Sequence, residues 1–136
     1  MSSRRSATKA KILAELFADS YAFVSLFEGN DRYLRIFRKK KLVTSALNVL
    51  EVYSTLLRRL PPSEAREFAE GMLTSVCSIP PEVALAAGEF RQSMRSLRKD
   101  CSYVDAWGYA AAVHLGLPFL TGDPAFRSVE RVEFVR

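Results

Sequence analysis

Apolar residues come in short runs, each followed by a longer stretch of helical period. Residues 12–18 form an apolar run broken only by Glu15, and it stops at Asp19-Ser20. A helix is expected over 21–27, turn chemistry at Glu28-Gly29-Asn30-Asp31, and a basic helix over 32–40 that carries Leu34, Ile36 and Phe37. Leu42-Val43-Thr44 reads as a strand. Ser45 is placed to cap a long helix over 46–60, which Pro61-Pro62 stops. A helix over 62–74 follows, then a short strand over 76–79. Pro80-Pro81 opens a helix to about Arg98, whose apolar positions Val83, Ala87, Phe90, Met94 and Leu97 make one stripe. Ser102 starts a helix through Leu115. Gly116-Leu117-Pro118 ends it and leads into a strand at 119–121, and a last strand is expected over 132–135. Short apolar strands alternating with helices imply an α/β domain, a parallel sheet covered by helices.

The chain has 136 residues, about one domain, and at 49% hydrophobic and 26% charged it can bury a core. Its net charge is +5, but residues 1–11 hold Arg4, Arg5, Lys9 and Lys11 and no acid. That segment is expected to be a flexible basic tail that adds nonspecific affinity for nucleic acid or nothing. The remainder, 12–136, is read as the folded domain and carries sixteen basic against fifteen acidic side chains. A histone-like basic body is therefore excluded. The longest stretch free of charge is broken by Gly116, Pro118 and Gly122, and no secretory signal is recognisable, so a cytoplasmic protein without membrane contact is expected. Two cysteines, Cys77 and Cys101, are too few for a disulfide scaffold, and one histidine, His114, leaves zinc fingers without ligands. Cys101 reads as structural, and His114 as a core or helix-end imidazole.

Candidate chemistry rests on four acids. Open α/β sheets put their sites at the carboxyl ends of strands. Asp19 follows the first strand in this way, and Asp123 follows the 119–121 strand. Each has an ordinary alternative as a helix cap, and Pro124 suits the position after Asp123. Asp105 stands three residues after Ser102, a Ser-x-x-Asp variant of the capping box, yet it heads a helix without charge up to Val113. Cap and site are equally open for it. Glu51 shares a helical stripe with Asn48, Thr55 and Arg58, either a solvated face or the lining of a polar cleft. If the four converged they would repel one another and raise each other's pKa values. A divalent cation would cancel that repulsion, and carboxylates without His or Cys suit Mg²⁺ or Mn²⁺. Phosphodiester chemistry would follow. Periodicity alone does not bring them together.

From residue 12 to Val135 the chain resembles the PIN domains, and more narrowly the VapC-type toxin ribonucleases. Ser102-Tyr103-Val104-Asp105-Ala106, Ala110-Ala111-Ala112, and Leu115 through Gly122-Asp123 are similar to that family's Asp-Ala helix, small-residue run and Thr-x-Asp strand end. The order of Asp19-Ser20, then Thr44-Ser45-Ala46 leading to Glu51, matches too. The resemblance implies a central parallel sheet flanked by helices and an acidic pocket of Asp19, Glu51, Asp105 and Asp123 binding Mg²⁺ or Mn²⁺. It implies supporting hydroxyls from Ser20 and Thr121. The implied activity is metal-dependent cleavage of single-stranded RNA, as the toxin of a toxin–antitoxin pair, with a small antitoxin partner and a homodimeric state. Two alternatives stand beside it: an RNA-processing PIN nuclease, and a catalytically weak PIN fold acting as an RNA- or protein-binding module. One departure favours the latter. Family members often carry Asn or Ser two places after the first Asp, where this chain has Tyr21, read first as a core residue. Arg91, Arg95 and Arg98 along one helix edge, and Arg38-Lys39-Lys40-Lys41, are candidate phosphate contacts or solvated faces.

Overall fold

The computed structural model describes residues 13–136; the basic segment 1–11 lies outside them. Four strands form one sheet: β1 (Leu16–Ala18), β2 (Leu42–Val43), β3 (Phe119–Thr121) and β4 (Val132–Phe134). Their order is β2-β1-β3-β4, and every pairing is parallel. Six helices connect them: α1 (Ser20–Phe27), α2 (Asp31–Lys39), α3 (Ala46–Leu57), α4 (Pro62–Leu73), α5 (Val83–Ser96) and α6 (Tyr103–Leu115). The expected α/β domain is thus the observed one.

Helical crossovers cover both faces of β1, β2 and β3, which are apolar without alternation, while the edge strand β4 alternates around the exposed Glu133. Alternate side chains still enter different layers. Phe17 and Phe119 pack with Phe126 and the small residues of α6, while Leu16, Ala18 and Leu120 pack with Tyr33, Val52 and Leu56. Gly108 permits the close seating of α6. A Cβ there would stand 3.1 Å from the Phe119 ring and 3.3 Å from that of Phe17. The small residues Ala110, Ala111 and Ala112 continue the same contact.

Local signals set most boundaries. Asn30 caps α2 by accepting from the N–H groups of Arg32 and Tyr33, and Ser45 caps α3 as expected. Pro62 occupies the first turn of α4, and Gly116, at φ 71°, ends α6 in the left-handed region.

Three readings are corrected. The strand expected over 76–79 shrinks to a single parallel bridge between Thr44 and Val76. Its partner ends there, because Ser45, directly after Thr44, caps α3 and leaves no strand for residues 77–79 to pair with. The helix stripe of α5 buries Val83, Ala87 and Met94 but leaves Leu97 66% exposed, because the helix has already ended at Ser96. The α6 helix is not buried throughout: its last turn emerges, with Val113 40% exposed and His114 in solvent. His114 is therefore a helix-end residue. Among the described residues no helix is long and apolar enough to cross a membrane.

Candidate metal centre

The chain leaves β1 toward β2 on one side, while β3 joins β1 on the other. The carboxyl ends of β1 and β3 therefore flank the crevice at which the strand order reverses, the position where open α/β sheets take ligands. A cleft of about 570 Å³ opens there. Asp19, Glu51, Asp105 and Asp123 all line it, together with Ser20 and Tyr21. Residues spread over more than a hundred positions of sequence thus share one cavity wall.

Asp19 follows β1 directly and is 1% exposed. It holds the cap position of α1, yet its side chain makes no capping bond. Its Oδ2 accepts instead from the Thr121 hydroxyl at 2.8 Å, and its Oδ1 is buried without a hydrogen-bond partner among the described residues. Such an atom is costly to leave unpaired. Thr121 also accepts from the Asp123 N–H at 3.1 Å, so one buried hydroxyl joins the end of β3 to both acids.

Asp105 and Asp123 serve two purposes each. Asp105 completes a capping box with Ser102: its Oδ2 accepts from the Ser102 N–H at 3.0 Å, and the Ser102 hydroxyl accepts from the Asp105 N–H. Asp123 Oδ1 accepts from the Ala125 N–H and caps the 3-10 turn Pro124–Phe126. Each cap engages one oxygen and leaves the other, and both carboxyls still line the cleft. Cap and cleft residue were rival readings in the sequence; in the fold they coexist. Glu51 reaches the cleft from α3, with Thr55 and Arg58 beside it, so the polar stripe lines a cavity rather than a solvated face. Asn48, on the same stripe, turns inward instead and is fully buried.

The electrostatics follow from this crowding. Burial, and next the charge of Asp105, push the Asp19 carboxyl up to about 8. Burial also raises Asp105, with Glu51 and Asp123 adding to it, against the Ser102 bonds that favour the charged form. Among the described residues no group of three or more His, Cys, Asp or Glu side chains is drawn up as a finished ion cage. The donor set nonetheless suits a hard divalent cation. It is all oxygen, it includes one orphaned buried carboxylate oxygen, and the neighbouring acids raise the proton affinity of Asp19 and Asp105.

Sequence reasoning missed a relay behind the cleft. The Ser45 hydroxyl donates to Asn48 Oδ1 at 2.6 Å, and Asn48 Nδ2 donates to the Ser20 hydroxyl at 3.0 Å. The available signal was an Asn in the first turn of a mostly apolar helix, three residues after its Ser cap. Tyr21 meets the core reading in part, being half-buried and packed against the core cluster of Leu16, Ala18 and Tyr33. Its ring packs on Tyr33, with centroids 6.0 Å apart, and it also lines the cleft. Cys101 is buried and its thiol is pushed up to about 12 by burial, as a structural cysteine should be. The run Arg38-Lys39-Lys40-Lys41 leads into β2 at its amino end, opposite the cleft, where Lys40 pairs with Glu15 at 3.3 Å. It is a solvated edge.

The family model of the PIN domain matches residues 16–132. A search of curated proteins found no match. Among solved structures, the chain is similar to VapC20 of Mycobacterium tuberculosis, described as a Sarcin-Ricin loop cleaving toxin. The TM-score is 0.73 at 23% identity, over 90% of this chain and 99% of that one. A toxin–antitoxin complex from Klebsiella pneumoniae gives 0.70 at 17% identity, covering 88% and 96%. DNA-bound VapBC from Salmonella typhimurium gives 0.70 at 13%, covering 90% and 97%.

Proposed function

This chain belongs to the PIN-domain family, and on that premise we propose that it is a divalent-metal-dependent endoribonuclease that cuts single-stranded RNA as the toxin of a toxin–antitoxin pair. One observation carries the reading: four carboxylates line a single cleft at the switch point of the sheet, and one buried oxygen of Asp19 has no partner among the described residues. The solved relatives, several of them toxin–antitoxin complexes, support the biological setting.

In this reading Asp19, Asp105 and Asp123 hold Mg²⁺ or Mn²⁺, and Glu51 completes the shell or positions the attacking water. The ion supplies neutralisation of the scissile phosphate and acidifies water at neutral pH. Thr121 fixes the rotamer of Asp19 through its 2.8 Å bond, and the Asn48 relay holds the Ser20 hydroxyl beside it. Where Glu51 positions the water, the water would attack phosphorus and give up its proton to solvent. The phosphorus–oxygen bond to the leaving ribose then breaks, and that oxygen takes a proton from solvent. Arg58, at the cleft wall, offers a guanidinium to a neighbouring phosphate.

A small antitoxin and a second copy of this chain are the proposed protein partners, in the cytoplasm. Leu47, Leu50 and Leu57, all at least 40% exposed on α3, form an apolar face suited to one of them. The test is direct. Purified protein should cut a panel of single-stranded RNAs with Mg²⁺ or Mn²⁺ and stop in EDTA. Undiminished cutting in EDTA would sink the metal-dependent reading. Metal binding without cleavage of any RNA would select the binding module, which the Tyr21 ring in the cleft wall favours.

A further inference from the structure

A second charged cavity lies at the far end of α5. Arg91, Arg95, Arg98 and Lys99 surround a hollow of about 450 Å³ whose remaining walls are Asp100 and Cys101. Four cations against one acid stand out in a body whose charges otherwise nearly balance. Two of them come from the turn that ends α5, where the Arg98 N–H donates to the Arg95 carbonyl and the Lys99 N–H to the Met94 carbonyl. Arg98 adopts φ 57°, in the left-handed region where glycine is the usual occupant, and the position still carries a guanidinium.

The hollow also has an aromatic rim. The Arg91 guanidinium lies 4.1 Å from the centroid of the Tyr103 ring, and Arg91 Nε donates to the Cys101 carbonyl at 2.9 Å. That bond fixes the cation beneath the ring. Tyr103 is 77% exposed, so its other face is presented to solvent. Tyr103 opens α6, and Asp105 follows in the same helical turn. The stretch from Cys101 to Ser102 is shared: it walls the basic hollow and makes the capping box that holds Asp105 over the acidic cleft.

We infer that this hollow and the Tyr103 ring form an accessory subsite for single-stranded RNA, binding the phosphates next to the scissile one and stacking one unpaired base. The inference rests on the nuclease reading and extends it to the path of the substrate. An isolated phosphate would need only the arginines. A solvent-facing ring backed by a cation adds a surface for a flat base, and stacking of this kind accepts every base. The subsite therefore anchors RNA without reading its sequence.

Binding of a short fluorescein-labelled single-stranded RNA to the full chain, followed by anisotropy in EDTA across a salt series, tests it. EDTA removes any metal-bridged contact of RNA with the acidic cleft, and the difference between variant and wild type isolates the basic subsite from the cleft wall and the basic segment 1–11. R95Q/K99Q should flatten the log–log salt slope by about 1.4, at about 0.7 per single-strand phosphate contact. Tyr103→Ala should weaken binding by about 5- to 100-fold, and Tyr103→Phe should retain it. An abasic nucleotide at the stacked position should abolish the difference between Tyr103→Ala and the wild type. Variants that match the wild type in slope and affinity, while all still cleave RNA with Mg²⁺, would overturn the subsite and leave the nuclease intact. A wild type that neither binds nor cuts any RNA would remove the nuclease reading and this inference with it. Unchanged RNA affinity with lost capture of a poly-glutamate peptide by R95Q/K99Q would assign the hollow to an acidic protein and overturn the RNA assignment.

Discussion

The Thr121 hydroxyl donates to Asp19 Oδ2 at 2.8 Å and accepts from the Asp123 N–H at 3.1 Å. A single buried side chain at the end of β3 thus orients two acids from different parts of the chain. Thr121→Val keeps the shape and removes both bonds. It should cost about 1–3 kcal/mol in urea unfolding, because it leaves buried groups unpaired. Cleavage should fall about 10- to 100-fold, as is typical when the partner of a metal ligand is lost. Thr121→Ser should restore most of both.

Asp105→Asn separates a cap from a member of the acidic cleft. Asparagine can still accept from the Ser102 N–H, so the capping bond survives, while the negative charge that favours the amino end of α6 and raises Asp19 disappears. The melting temperature in EDTA should rise. The wild type should gain stability on adding Mg²⁺, by mass action on the native state, and the variant should gain less. Its RNase activity should vanish. A lower melting temperature in EDTA with an intact Mg²⁺ response would make Asp105 a cap alone.

The pH dependence of metal-free stability follows from Asp19. Its folded pKa, about 8, lies above the unfolded value near 3.9, so the native state binds the extra proton between them. The contribution is whole below about pH 4 and is lost as pH rises through about 8. Melting temperatures in EDTA should fall across that window, and Asp19→Asn should flatten the fall. A curve that rises from pH 5 to 8 would contradict the buried, proton-holding carboxyl.

Gly122 is required by space rather than by backbone freedom. A Cβ there would stand 2.3 Å from the Val135 carbonyl oxygen and 2.4 Å from the Tyr21 ring. Gly122→Ala should destabilise by about 1–3 kcal/mol, the usual range for overpacking, and should reduce cleavage by displacing Tyr21 at the cleft. Chemical denaturation and an RNA cleavage assay on the same preparation check both.

The candidate site was legible in part. Asp19 and Asp123 stood out because each follows an apolar strand, and Asp105 because it heads an uncharged helix. Glu51 was visible only as one position on a polar stripe. The Asn48 relay and the place of Tyr21 were not legible, since both depend on which helix faces which.

Local pattern determined what is local. Apolar runs bounded by turns specified β1, β2, β3 and β4 to within a few residues, Ser45 and Ser102 specified helix starts, and Pro61-Pro62 specified a stop. Those signals act through neighbouring side chains and backbone groups, so the sequence alone carries them. Tertiary structure decided the rest. Strand order placed β1 beside β3 and so brought Asp19 within reach of Thr121, 102 residues away. It demoted residues 76–79 to a single bridge and turned Asp105 and Asp123 into caps that also line a cleft. The physical reason is that periodicity encodes which face of an element is apolar, whereas convergence depends on which faces are buried against one another.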